Sequence, residues 1–330
     1  MTPTSRINFI LKHGHAEKSK AIKALALSFL QKTLSLLPEF FLALSLDIVT
    51  CSYHVPLLTS LGITQAWHQL LFFAGCTLTA WLLTSLVYYF ELVAWQQFSQ
   101  SLQHNLRLYL YEVIFFSDQQ TTAQSTIGNR VTAINEDINH IEHFFRFAVH
   151  DAVHLMVGTC LIGCLYLWYA PLVACAALSM LPIIILLSRL LQQKLQCNYQ
   201  ALRNQAGTIA STVMTSLHHK DHAEVQLSQE SLQYQKIAMA TARINALFNP
   251  IISMVIMFGI IITLLISGWY VLQGKLSPGV FSIILLQTQR LLWPFARTAH
   301  IIDAYEQTMA SVARIMNMIH LHAVQRDVQH

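Results

Sequence analysis

Charge is scarce in this chain: 20 Lys and Arg with 16 Asp and Glu make up 11% of 330 residues, while 54% are hydrophobic and the mean hydropathy is +0.46. That is too little charge to coat a soluble domain, so a polytopic membrane protein is the expected class. Phosphate-binding machinery is lacking too. No Gly-x-x-x-x-Gly-Lys-Ser/Thr loop occurs, and no strand-rich soluble segment could house one beside an acidic, magnesium-holding strand end. These residues therefore offer no means of hydrolysing ATP unaided, no cofactor or metal site is expected, and the chain is not read as an enzyme. A Cys-x-x-Cys pair is missing among Cys51, Cys76, Cys160, Cys164, Cys175 and Cys197, which mostly sit in apolar runs and are expected to be buried free thiols. The head of the chain, from Met1 to Lys32, carries Arg6, Lys12, Lys18, Lys20, Lys23 and Lys32 but no apolar core directly after a basic start, which excludes a cleavable signal. The net charge of +4 is a basic excess facing an anionic leaflet, and nucleic acid is not an expected partner.

Long apolar runs are what the chain has instead. A spanning helix needs about 20 mostly apolar residues. Candidates lie near Leu34 to Leu58, Leu70 to Trp95, Phe144 to Trp168, Leu172 to Leu191, Ile251 to Leu272 and Val280 to Ile301, the first interrupted by Pro38, Glu39 and Asp47. No Lys or Arg occurs from Cys51 to His68, the third and fourth runs are joined by little more than Tyr169-Ala170-Pro171, and only Lys275 falls in a loop on the far side. The positive-inside rule then places both termini in the cytoplasm. A bacterial inner membrane is the expected location, with the basic head lying along the headgroups. Trp67, Phe72, Phe73, Trp81, Tyr88, Tyr89, Trp168, Tyr169 and Trp269 lie toward predicted span ends, as interfacial anchors do.

Two long connections separate this pattern from an ordinary six-span carrier. Gln96 to His143 has few helix breakers, and Arg189 to Asn249 has Gly207 alone and no Pro until Pro250. Helices continuing some 15 to 20 residues past the bilayer would carry the chain roughly 25 to 30 Å outward, which suits a docking surface. Ionisable groups at membrane depth are costly and usually face a bundle interior or a water-filled cavity. Gln287, Arg290 and Arg297 share a helical face by spacing and, with Asp47, are candidate lining of a substrate cavity; for the two arginines, snorkelling to the interface is the competing reading. Glu91 lies late in the second run. His143, His150 and His154, next to Asp151, fall on one helical face, and His218, His219 and His222 cluster in the second connection. For these histidines core or solvated positions are expected, since no His-Glu-x-x-His pattern accompanies them.

Specific sequences then carry a resemblance. Gly274-Lys275-Leu276-Ser277-Pro278-Gly279 separates two apolar runs, the second holding Trp293-Pro294-Phe295, and a polar helix follows with Ala310-Ser311-Val312-Ala313-Arg314-Ile315. This resembles the end of the membrane domain of type I ABC exporters, where a Gly-x-Leu-Thr-x-Gly turn joins spans five and six and Ala-Ser-x-x-Arg-Ile leads toward the ATPase; Ser277 stands for the usual Thr. Asn105-Leu106-Arg107-Leu108-Tyr109 is similar to the family's Leu-Arg-x-x-Leu-Tyr region, and Asp137-Ile138-Asn139-His140-Ile141-Glu142-His143-Phe144 to its Asp-Val-x-x-Ile-x-x-Phe. The match departs where Arg130 and Asp137 are seven apart instead of four and Ser125 stands near an expected Gly. It departs again where Thr215 replaces an acidic residue and His219 a Gly.

The resemblance implies an all-α membrane fold of six spans with long cytoplasmic helical extensions and coupling helices. Residues 24–319 would form the transmembrane domain, 1–23 a cytoplasmic basic arm, and 320–330 a tail where an ATPase domain would begin. It implies coupling contacts at Arg130, Glu136, Asp137, Thr215, Ser216, Leu217 and His219, though an exposed helical charge face is the plainer account of the first three. It further implies a second transmembrane half in a homo- or heterodimer, and a separate nucleotide-binding ATPase carrying the ATP and Mg. The fold handles peptides, lipids and amphiphilic small molecules. The divergence at Thr215 and His219 keeps a second reading open, a degenerate half that scaffolds or regulates a partner transporter without transporting. A third, an ATP-independent carrier, is opposed by the long polar excursion.

Overall fold

The computed structural model describes residues 17–51, 55–60, 63–115, 133–216 and 223–328. All regular structure among them is helical: α1 Lys18–Leu34, α2 Leu37–Cys51, α3 Pro56–Ser60, α4 Ala66–Phe115, α5 Ile138–His143, α6 His150–Tyr169, α7 Pro171–Ser216, α8 Ala223–Leu272, α9 Pro278–Phe295 and α10 Thr298–Val328, with π-helical turns at Ala133–Asp137 and Phe144–Val149. Among the described residues five stretches are long and apolar enough to cross a membrane: Lys18–Cys51, Ala66–Val113, Asn135–Tyr169, Pro171–Met214 and Leu227–Leu272. The expected sixth run, Val280 to Ile301, is corrected. α9 stops at Phe295, because Pro294 precedes a tight turn in which the Ala296 and Arg297 amides donate to the Trp293 and Pro294 carbonyls. Its 18 residues reach about 27 Å against a hydrocarbon core of about 30 Å, and Gln287, Gln289 and Arg290 dilute its apolar character.

The chain divides into two compact units. One holds residues up to 169 with 267–287 and 300–330. α1 and α2 both pack along α4, and α6 packs on α1. Apolar residues at helical spacing close this unit in three places. Leu102, Leu106 and Leu110 of α4 meet Ile138 and Ile141 of α5 and Met309, Val312 and Ile315 of α10. Ala24 meets Ala94, Trp95 and Phe98; Ile48 meets Leu58 and Phe73. α4 has 50 residues and is about 75 Å long, so its Leu102–Leu110 end extends beyond any bilayer that covers its apolar start. There water is the competing environment, and burying a leucine is worth roughly 1.5 to 3 kcal/mol.

The other unit holds residues 170–266 and 288–299. In it α7 ends at Ser216 and α8 begins at Ala223, and the two long arms are bonded to each other through Glu230. Thr212 donates to Glu230 Oε1 at 2.9 Å, and the Gln205 amide to the Glu230 carbonyl at 3.4 Å. Gly259 is where α9 comes closest, since a Cβ there would press on Leu292 and Met180.

The cysteines are free, as expected, but they are not buried: Cys76 is half-buried and Cys51, Cys160, Cys164, Cys175 and Cys197 are exposed on the chain. The physical reason is that spanning helices turn apolar faces outward. Trp81, Leu82, Leu86 and Met254 are likewise exposed, as lipid-facing side chains are.

Candidate functional site

Four sets of polar groups among the described residues bear on the candidate sites. One begins at the turn before α9. Gly274 takes φ +69°, and Lys275 and Gly274 amides donate back to the Tyr270 and Val271 carbonyls, the Schellman end of a helix. Ser277 then caps α9, its hydroxyl accepting from the Val280 amide at 3.2 Å, with Pro278 at the first helical position. Asp47 of α2 completes the turn. One carboxylate oxygen accepts from the Ser277 hydroxyl at 2.8 Å and the other from the Gly279 amide at 2.6 Å. Asp47 is thus committed to the N-terminus of α9, where an anion is favoured by the helix dipole, and does not join Gln287.

Gln287 is buried and its amide donates to Glu39 of α2, a residue sequence reasoning had treated only as an interruption of the first span. Arg290 and Arg297 are exposed on the chain. The common face drawn from their spacing is corrected as well: α9 ends at Phe295, so Arg297 lies in the following turn and helical phase no longer relates it to Arg290.

The third set joins residues expected to act separately. Asp137, buried, is forked by Arg314: Nε lies 3.1 Å from both carboxylate oxygens and Nη2 donates to Oδ1 and, at 3.0 Å, contacts Ser311 Oγ. The hydrogen bonds that Arg314 donates to Asp137 raise the Arg314 pKa above its ordinary value. Asp137 is therefore no part of an exposed charge face; Glu136, beside it, is exposed. The leucine–isoleucine core between α4, α5 and α10 brings the pair together, with Thr308 Oγ1 donating to the His140 carbonyl at 3.3 Å. Arg130, Leu217 and His219 lie outside the described residues, and Thr215 and Ser216 are the last two positions of α7.

The fourth set is the most concentrated. Glu91, fully buried on α4, accepts on Oε1 from the Ser28 hydroxyl of α1 at 2.6 Å, and the same oxygen meets His150 Nε2 at 3.1 Å and His154 Nε2. Trp95 Nε1 donates to Ser28 Oγ at 3.0 Å, and the His150 and His154 rings lie 4.3 Å apart. The two imidazoles are one helical turn apart on α6 and so face α4 together. His143 does not join them: it is exposed and stacks on Phe147 at 4.6 Å. The π-helical turns of Phe144–Val149, with their i→i+5 bonding, shift the phase that a continuous α-helix would have kept. The one-turn spacing of positions 150 and 154 is readable in sequence; the partner 59 residues earlier is not.

Comparison with known proteins bears on what this arrangement serves. The profile of the family described as the ABC transporter transmembrane region matches residues 21–295. The chain is 22% identical over 246 residues to the ATP-dependent lipid A-core flippase of Syntrophus aciditrophicus, covering 71% of this chain and 40% of that protein. It is 21% identical over 226 residues to a multidrug efflux ATP-binding/permease protein of Mycobacterium bovis, covering 66% and 19%, and 21% identical over 259 residues to the multidrug resistance-like ATP-binding protein MdlA of Buchnera aphidicola, covering 72% and 44%. The chain thus spans at most 44% of the length of these relatives.

Proposed function

Because this chain belongs to the ABC transporter transmembrane-region family, we propose that it forms the cargo path of an ATP-driven exporter and takes its power stroke from a nucleotide-binding ATPase. The observation that carries the reading is the pair of arms α7 and α8. With 46 and 50 residues they are about 70 and 75 Å long, more than twice the hydrocarbon thickness, and they are bonded side by side where Thr212 and Gln205 of α7 reach Glu230 of α8. A hairpin of that reach has no use in a bilayer alone; it suits a docking tip in the cytoplasm, with Thr215, Ser216, Leu217 and His219 at the contact. Glu136 and the Asp137–Arg314 pair would flank a second contact, together with Arg130. In this reading both termini are cytoplasmic, a second transmembrane half completes the path, and the ATP and Mg sit on the ATPase.

Orientation is tested by thiol labelling in intact cells. Single cysteines at Ser60 and Lys275 are expected to react with a membrane-impermeant reagent, and cysteines at Gln124 and His219 to react only after permeabilisation; reaction of His219→Cys from outside would invert the topology. Coupling is tested by co-purification. The chain should capture an ABC ATPase, and Thr215→Arg with Leu217→Arg should lower the captured amount about 10-fold, the cost of roughly 1.4 kcal/mol at a hot spot. Capture indifferent to those changes removes the tip from the coupling surface; no ATPase captured at all favours the scaffolding reading.

A further inference from the structure

We propose that Glu91, His150 and His154 form a binding site for one divalent transition-metal ion, of the zinc or cobalt class, inside the first unit. Their ligand atoms, a carboxylate oxygen and two imidazole nitrogens, lie within 4.8 Å of one another. A tetrahedral ion with bonds of about 2.0 Å sets its ligands about 3.3 Å apart, and His150 Nε2 already stands 3.1 Å from Glu91 Oε1. Two histidines one turn apart with a carboxylate from a neighbouring helix leave a fourth position open, and the half-open edge of His154 gives an ion a way in.

Hydrogen bonding alone accounts poorly for this cluster. Three polar atoms, the Ser28 hydroxyl and the two Nε2 atoms, crowd onto Glu91 Oε1, while Oε2 is buried with no partner. A carboxylate has room for about two donors on each oxygen, and a buried, unmatched oxygen in such a place is costly. His150 adds a second constraint. Its Nδ1 is 3.5 Å from Asp151 Oδ1, the placement that fixes a metal-bound imidazole with its proton on Nδ1 and its Nε2 lone pair free. In that tautomer Nε2 and the carboxylate oxygen are two acceptors facing each other, an arrangement that a bound cation converts into ligation. An ion relieves the crowding on Oε1, lets Oε2 share the coordination, and turns two facing acceptors into two ligands. Lys32, whose charge acts on His154, disfavours a bare cation and favours an anionic fourth ligand such as hydroxide or chloride. Imidazole with carboxylate selects zinc, copper, cobalt or nickel over magnesium or calcium.

The test uses the full chain in detergent, purified without a polyhistidine tag, stripped with chelator and titrated with Co²⁺. One equivalent is expected to give the intense visible bands of a four-coordinate cobalt site, and Zn²⁺ should displace it. His154→Ala should weaken that binding on the order of 100-fold or more, and Asp151→Asn, at an exposed position, by about 10-fold. Ser28→Ala removes a donor from the same oxygen without removing a ligand and should keep the bands. Glu91→Gln should lose them, but it also disturbs a buried acceptor, so His154→Ala and Asp151→Asn decide. Absence of the bands in the unmodified chain, or bands that survive both variants at unchanged affinity, overturns the site and leaves a charged imidazole pair on Glu91 as the account of the cluster.

Discussion

Gly279→Ala is expected to cost about 3 kcal/mol, since no other glycine compared among the described residues meets so close a neighbour. A Cβ at Gly279 would collide with the Ala43 carbonyl oxygen and with the Asp47 carboxylate, which are backbone and a committed side chain, so neither can swing aside. Overpacking of this kind costs roughly 1 to 3 kcal/mol. Backing the helix away also lengthens the 2.6 Å bond from the Gly279 amide to Asp47, and hydrogen bonds to charged groups are worth about 1.5 to 3 kcal/mol. Thermal unfolding of the solubilised chain would show the loss as a lower midpoint with reduced yield. Asp47→Asn keeps an acceptor and should fall between the variant and the parent. Unfolding of Gly279→Ala at the parent's midpoint would mean that α2 does not seat against the turn.

Glu91→Leu is expected to destabilise the chain by about 2 kcal/mol. The mutation strips the acceptor from Ser28, His150 and His154 at once. In a membrane interior each such bond averages only about 0.6 kcal/mol, because the unfolded helices find other partners, so three of them sum to roughly 2. Replacing Glu91, His150 and His154 together by leucine should recover much of the loss, since an apolar set leaves no buried donor behind. The comparison is read from resistance to unfolding by detergent of the single and triple variants. A silent Glu91→Leu would show that its carboxylate does not hold α1 and α6 to α4.

These expectations rest on contacts of unequal visibility in the sequence. Ser277 with Pro278 announces the start of α9, because a hydroxyl cap and a proline at the first helical position are local chemistry. Asp47 gives no such sign. Its partners lie 230 and 232 residues later, and only the packing of α2 against the turn selects them. Asp137 and Arg314 were each singled out by sequence, one as a coupling residue and one as a family mark, yet their pairing depends on the hydrophobic joint of α4, α5 and α10. The face assigned to His143, His150 and His154 assumed an unbroken helix, and the π-helical turns between 144 and 149 moved His143 out of it. The last span was drawn too long for a similar reason: hydropathy continues past Pro294, but backbone hydrogen bonding changes there.

Pro250 sets the mechanics of the arm on which it sits. It lies within α8, 27 residues from Ala223, and so roughly 40 Å from the start of that helix. A proline forfeits one rung of the helical hydrogen-bond ladder and crowds the turn before it, making that level the compliant one. Below it runs a polar rod braced to α7 through Glu230, and above it begins the apolar run from Ile251. A displacement of about 4 Å at the end of a 40 Å rod is a rotation of only about 6° at its pivot. A push on the far end of such an arm would therefore be geared down, a broad, weak movement there becoming a small, forceful tilt where the helix enters the apolar run.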